Sequence, residues 1–195
     1  MANGDSGLLV LGSAQAPGRL RTALAATAER TAGGDHELEF LDLAEKRVGF
    51  ADGRDPATLD DDTAAVLAAV AAAEPVIFAT PTYRGSMTAA LKNLFDLLPV
   101  PALAGKTVGL VTMGGSPHHY LGADRHLRDV LAFFGALVLP VTVYLTNDQF
   151  TDGEPNERAT AELDELIASA FALARAREGA PPLGPTPFAA RAIRG

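Results

Sequence analysis

Five short apolar runs, each followed by a stretch with helical spacing, constrain what this chain can fold into more than any other feature. The runs are Gly7–Gly12 (GLLVLG), Glu37–Leu43 (ELEFLDL), Pro75–Thr80 (PVIFAT), Lys106–Met113 (KTVGLVTM) and Leu137–Leu145 (LVLPVTVYL). Near-continuous Val, Leu, Ile and Phe at this length suits strands covered on both faces. Between the runs the period lengthens. Met87, Leu91, Leu94 and Leu98 make one helical stripe, Leu127, Val130, Leu131 and Phe134 a second, and Leu163, Leu166, Ile167, Ala170 and Phe171 a third. Weaker alanine-dominated stripes run from Leu20 to Ala28 and from Leu59 to Val70. A strand–helix alternation repeated five times predicts an α/β fold, an open, doubly wound parallel sheet with helices on both faces.

The 195 residues are enough for one ordinary domain, expected over residues 1–178. From Gly179 to Gly195 the chain changes character and carries four prolines, so this tail is expected to be extended or disordered. The chain has no cysteine, which excludes disulfides, thiolate metal sites, iron–sulfur clusters and a cysteine nucleophile. His36, His118, His119 and His126 fit no common metal-ligand spacing, so no metal is expected. A net charge of −8 argues against nucleic acid and anionic membrane surfaces as partners. There is neither a basic start followed by a long apolar core nor an apolar run long enough to span a bilayer, and the expected location is cytoplasmic.

In a doubly wound sheet, ligands bind beyond the carboxyl ends of the strands near the point where strand order reverses. The informative segments are therefore Gly12–Thr22 (GSAQAPGRLRT), Thr80–Ser86 (TPTYRGS) and Thr112–His119 (TMGGSPHH). The turns after the second and fifth strands look less like binding loops. In the first segment, glycines, Ser13 and Arg19 stand just before a helix, an arrangement that offers amides and a guanidinium to a phosphate. The same residues also suit an ordinary strand-to-helix turn. The spacing matches neither the dinucleotide GxGxxG nor the GK[ST] of nucleotide hydrolases. In the second, Pro81 fixes the backbone, Tyr83 offers an aromatic face and Ser86 is placed to cap the next helix. Gly114 and Gly115 in the third let the main chain approach a planar ligand, or simply make a turn. His118 sits where the cleft opens, as a solvated residue or a helper. No carboxylate near it makes a catalytic pair, so the chemistry is expected to be a cofactor's.

Taken together, Gly12-Ser13 with Pro17-Gly18-Arg19, Thr80-Pro81-x-Tyr83-x-x-Ser86 with Leu91-Lys92-Asn93-x-x-Asp96, and Gly114-Gly115-Ser116 resemble the NADPH-dependent FMN reductase family of the flavodoxin-like fold. Leu97-Leu98-Pro99, the following Leu103-x-Gly105-Lys106 and the stretch Leu127–Ala136 are similar to the sulfonate-utilisation flavin reductases of two-component monooxygenase systems. The resemblance implies a five-stranded sheet of order 2-1-3-4-5, NADPH or NADH as hydride donor, FMN as acceptor and a flavin-dependent monooxygenase as partner. It also implies a homodimer or homotetramer, for which Leu94, Phe95, Leu97 and Leu98 would supply surplus apolar surface. Carried over by position, Ser13, Gln15, Gly18, Arg19 and Leu20 would surround the FMN phosphate. Pro81, Thr82, Tyr83 and Arg84 would line one edge of the ring, and Gly114, Gly115 and Ser116 its pyrimidine end. Arg125 and His126 fall where the sulfonate-type enzymes place an aromatic or a histidine. Gln15, Gly18 and Leu20 stand where the family has Arg and Ser, which implies weakly held FMN that exchanges like a substrate. Alternatives are an FMN-containing quinone or azo reductase, and a flavodoxin-type carrier that oxidises no nicotinamide.

The charge is unevenly spread along the chain. Residues 14–28, 75–95 and 104–123 hold no Asp or Glu, but do hold Arg19, Arg21, Arg84, Lys92 and Lys106. These cations are expected to make the binding edge locally basic, to the advantage of phosphate-bearing ligands.

Overall fold

The structure is a computed structural model that describes residues 6–13, 18–32, 34, 36–188 and 191. Its main sheet is built from β1 (Ser6–Leu11), β2 (Glu37–Asp42), β3 (Val76–Pro81), β4 (Thr107–Met113), β5 (Leu137–Val138) and β6 (Val143–Leu145). The order is β2-β1-β3-β4-β5, β6 also pairs with β4, and these pairings are parallel. Around it pack α1 (Arg19–Thr31), α2 (Thr63–Ala72), α3 (Ala89–Leu97), α4 (Gly122–Phe134) and α5 (Glu157–Arg177). A separate two-stranded ribbon pairs β7 (Phe150–Thr151) with β8 (Glu154–Pro155). This is the flavodoxin-like arrangement.

The period of two explains the layers. Leu8 and Val10 of β1 point to one face, where Val66, Leu94 and Leu131 of α2, α3 and α4 cover them; Leu9 and Leu11 point to the other, under Leu24 of α1 and Ile167 of α5. Each Leu or Phe taken fully from water stabilises the fold by about 1.5–3 kcal/mol, so central strands with apolar side chains on both faces require helices on both. Leu94, Phe95, Leu97 and Leu98, expected to offer surplus surface to another subunit, are instead buried in the first of these cores. Phe95 meets Phe78 of β3 edge to face at 4.9 Å between ring centres, so α3 uses this cluster to hold its own sheet.

The fifth run is a broken strand. Pro140 has no N–H to continue the ladder, and the chain leaves regular pairing between Val138 and Val143. Arg128 of α4 fills the break: its guanidinium donates to the carbonyls of Leu139 (3.0 Å) and Pro140 (3.1 Å), to Thr142 Oγ1 (3.0 Å) and to the Asp124 carboxylate (3.0 Å). The Thr142 hydroxyl donates to the same carboxylate.

The start of α3 differs from expectation. Ser86 does not cap it; Thr88 does, accepting from the Leu91 N–H at 3.2 Å and donating to the carbonyl of Gly12. Two residues of extended chain after Ser86 place the cap later and under the first loop. Thr88→Val removes the cap and leaves a buried carbonyl unpaired, so a stability loss of about 2–3 kcal/mol is expected, read as a lower urea midpoint with unchanged slope. At its other end the chain leaves α5, runs without a helix from Ala180 to Pro187, and sets Pro187 against Gly135, the left-handed residue that ends α4.

Candidate functional site

The order of the sheet sets the carboxyl ends of β1, β3 and β4 side by side, with the reversal of strand order between β1 and β3. The three loops expected to matter therefore share one edge, and hydrogen bonds tie them together.

The first loop leaves β1 at Gly12, whose N–H donates to the Ala79 carbonyl of β3 at 2.8 Å. α3 approaches so closely that a side chain at this position would strike Leu91. Gln15, with the rest of 14–17, lies outside the described residues. Ser13 is half-buried and Gly18 exposed where the loop enters α1. Leu20 turns its side chain into the core with Ala23 and Leu24, because it belongs to the apolar stripe of α1; only its main chain remains for the loop. Arg19 reaches the loop after β6, donating to Asn147 Oδ1 at 2.8 Å. That loop, set aside in the sequence, thus borders the site.

The second loop is fixed at its base by Thr82 N–H donating to the Met113 carbonyl at 2.7 Å. Tyr83 and Ser86 exchange two main-chain bonds, of 2.9 and 3.0 Å. Between them Arg84 (φ 54°) and Gly85 (φ 75°) are both left-handed, as a two-residue type I′ turn requires. For arginine this conformation costs on the order of 1 kcal/mol and persists only where neighbours enforce it. Tyr83 and Arg84 are exposed at the tip, and the Ser86 hydroxyl lies 2.8 Å from His126 Nδ1. Among the described residues, Thr82 Oγ1 is buried without a partner.

The third loop is clamped to β6 at both ends. Gly114 N–H donates to the Leu145 carbonyl at 3.0 Å, and the Tyr144 hydroxyl donates to the Ser116 carbonyl at 2.7 Å. The clamp requires glycine at 114, since a side chain there would strike the Tyr144 hydroxyl. Burial pushes the Tyr144 phenol up, which keeps it in the donating form. Pro117 opens a short 3-10 turn that leaves His118 exposed, and Arg125 is exposed on α4. A cavity of about 880 Å³ opens beyond this clamp, between Leu139–Thr146 and α5, with Tyr120 and Tyr144 in its wall. It lies along the sheet edge and touches the third loop only at Pro117.

The expected basic edge is smaller than the sequence implies. Arg21 pairs with Asp42 (2.9 Å) and Glu45 (2.5 Å), and Lys92 with Asp96 (2.7 Å). Lys106 precedes β4 and so sits at the opposite, amino end of the sheet, where its ammonium donates to the carbonyls of Val70 (3.2 Å) and Ala73 (2.8 Å) at the end of α2. Arg19 and Arg84 remain at the cleft.

Residues 7–150 match the family model for the NADPH-dependent FMN reductases. A relative in Geobacillus thermodenitrificans (strain NG80-2), described as an NAD(P)H-dependent FAD/FMN reductase, is 39% identical over 132 residues, 68% of this chain and 70% of that protein. The NADH-dependent FMN reductase SfnF of Pseudomonas putida is 33% identical over 165 residues, 82% of this chain and 87% of its own. Among solved structures, the apo form of the NADH:FMN oxidoreductase EMOB superposes with a TM-score of 0.74 at 25% identity, over 94% of this chain and 97% of that one. An archaeal flavodoxin, at 12% identity and a TM-score of 0.63 over 87% and 99% of the two chains, shares the fold. The loops that the structure ties together all fall within the matched span, and the chain belongs to the NADPH-dependent FMN reductase family.

Proposed function

We propose that the protein, an NAD(P)H:FMN oxidoreductase by family, passes the reduced FMN it makes to a separate flavin-dependent monooxygenase. The observation that carries the flavin site is the set of three interlocked loops with open space beside Gly18, Gly85 and Gly115, where, among the described residues, an added side chain would meet nothing within 4 Å. Glycine with free space beside it lets main-chain amides approach a ligand.

In this reading Ser13, Gly18, Arg19 and the main chain at Leu20 hold the phosphate. Pro81, Thr82, Tyr83 and Arg84 border one edge of the ring, and the amides of Gly114, Gly115 and Ser116 the pyrimidine end. When bound, FMN supplies the hydride acceptor for NADPH or NADH. The protein's part is to hold donor and acceptor face to face and to set amides and Arg84 where negative charge accumulates on reduction. Neither His118 nor Arg125 is needed as acid or base. Arg19 is shared with Asn147, and the side chains at 18 and 20 give the phosphate nothing, which supports FMN that exchanges. The monooxygenase partner rests on the likeness of Leu97–Lys106 and Leu127–Ala136 to sulfonate-type reductases. Assembly into a homodimer or homotetramer belongs to the same proposal and is checked by light scattering.

Steady-state kinetics varying FMN and NAD(P)H together test the reading. The expected result is nicotinamide oxidation at 340 nm that saturates in both, by a protein that leaves gel filtration colourless. No flavin-dependent oxidation would overturn it, and retained yellow colour with quinone or azo-dye turnover would favour a reductase with resident FMN.

A further inference from the structure

The type I′ turn at Tyr83–Ser86 carries two of the residues placed at the cleft, Tyr83 and Arg84. Arg84 holds a positive φ that its own side chain opposes, and the turn's tip is exposed. The start of α4 braces it from outside. Gly122 comes so near that an added Cβ would lie 3.0 Å from the Gly85 carbonyl oxygen. One helical turn further on, His126 Nδ1 meets Ser86 Oγ at 2.8 Å. Ser86 is also the residue that closes the turn, through both of its main-chain bonds to Tyr83. A side-chain bond to Ser86 therefore acts on the whole turn, including Tyr83 and Arg84. His126 faces a groove of about 520 Å³ between α3 and α4, with Lys92 and Asp129 on its walls, so the ring is not held by burial and the bond to Ser86 is its specific tie.

We propose that His126 is a positioning residue: through Ser86 it fixes the turn that carries Tyr83 and Arg84, and so sets how the nicotinamide lies against the flavin. The part concerning hydride transfer rests on the flavin site proposed above; the bond between His126 and the turn does not. A loosened turn leaves the phosphate contacts of the first loop untouched, so the consequence falls on the transfer step more than on FMN affinity.

The test compares His126→Ala with His126→Asn, whose amide places a polar atom near the position of Nδ1. The residue is exposed, so both variants should fold. In FMN-free protein, amide exchange at Tyr83 and Ser86 should quicken at least about five-fold in His126→Ala and return towards wild type in His126→Asn. In stopped flow at 450 nm, the rate of FMN reduction should fall about ten-fold in His126→Ala and recover in His126→Asn, with FMN affinity by fluorescence quenching changed less than about three-fold. Exchange in His126→Ala equal to wild type, or His126→Asn no better than His126→Ala in either measurement, overturns the proposal. A wild-type protein that does not reduce FMN would refute the function proposed above, while the exchange arm would still decide whether His126 holds the turn.

Discussion

Gly114→Val is expected to weaken FMN binding by roughly 10- to 100-fold, equivalent to about 1.4–2.8 kcal/mol. The cause is steric. The third loop lies against β6 because nothing projects from residue 114 towards the Tyr144 ring, and a valine there drives the loop off its clamp. Fluorescence quenching of FMN reads the effect. The mechanism can be separated from general damage by a double-mutant cycle. In a Tyr144→Phe background the hydroxyl that a residue 114 side chain would strike is gone, so Gly114→Val should cost less than it does alone. Wild-type affinity in Gly114→Val would show that this loop does not hold the flavin, and strict additivity that the clash with Tyr144 is not what weakens binding.

Arg128→Met should be strongly destabilising although it lies away from the cleft. It takes the counter-charge from the Asp124 carboxylate, whose side chain is 8% exposed and which keeps the Thr142 hydroxyl as a donor, and it removes the donors that answer Leu139 and Pro140. Removing one partner of a buried pair costs about 3–5 kcal/mol. For a chain of this size that is a fall in Tm on the order of 10 °C. Replacing both partners, as in Arg128→Met with Asp124→Leu, should recover much of the loss, since apolar groups leave no buried charge behind. A fall below about 1 kcal/mol in the single variant would mean that water reaches the carboxylate.

The parallel sheet was legible because strands buried on both faces must be apolar almost without interruption, and Gly7–Gly12 or Pro75–Thr80 permit little else. The break in the last strand was written at Pro140, but the residue that fills it was not. Arg128 reads as an ordinary exposed position on an amphipathic helix, and its partners come from a different element. The cap of α3 was misplaced because Ser86 and Thr88 can both cap a helix and serine is the more favoured; only the backbone of the Tyr83–Ser86 turn decides for Thr88. The ribbon of β7 and β8 went unseen because two-residue strands have no period, although Asp152-Gly153, with φ of 51° and 90°, is a strong hairpin signal. Among the candidate site residues, glycine patterns pointed to the carboxyl ends of β1, β3 and β4, which the structure sets side by side. Charge did not, since the acid-free segments say nothing about which end of a strand a cation occupies. Lys106 stands at the far end, and Arg21 is taken up by the carboxylates of the β2 region.

The guanidinium set into the last strand also bears on how molecules of this protein meet. A sheet edge recruits foreign strands when its donors and acceptors are free and regularly spaced. Along this edge Pro140 has no hydrogen to give, and the oxygens of Leu139 and Pro140 are already engaged by Arg128. Val141, 70% exposed beside them, would otherwise be an adhesive point for a misfolded neighbour. The arrangement that costs the strand its regularity thus protects this edge of the sheet against templating, and strand-to-strand association in concentrated solution is left to the opposite edge, β2.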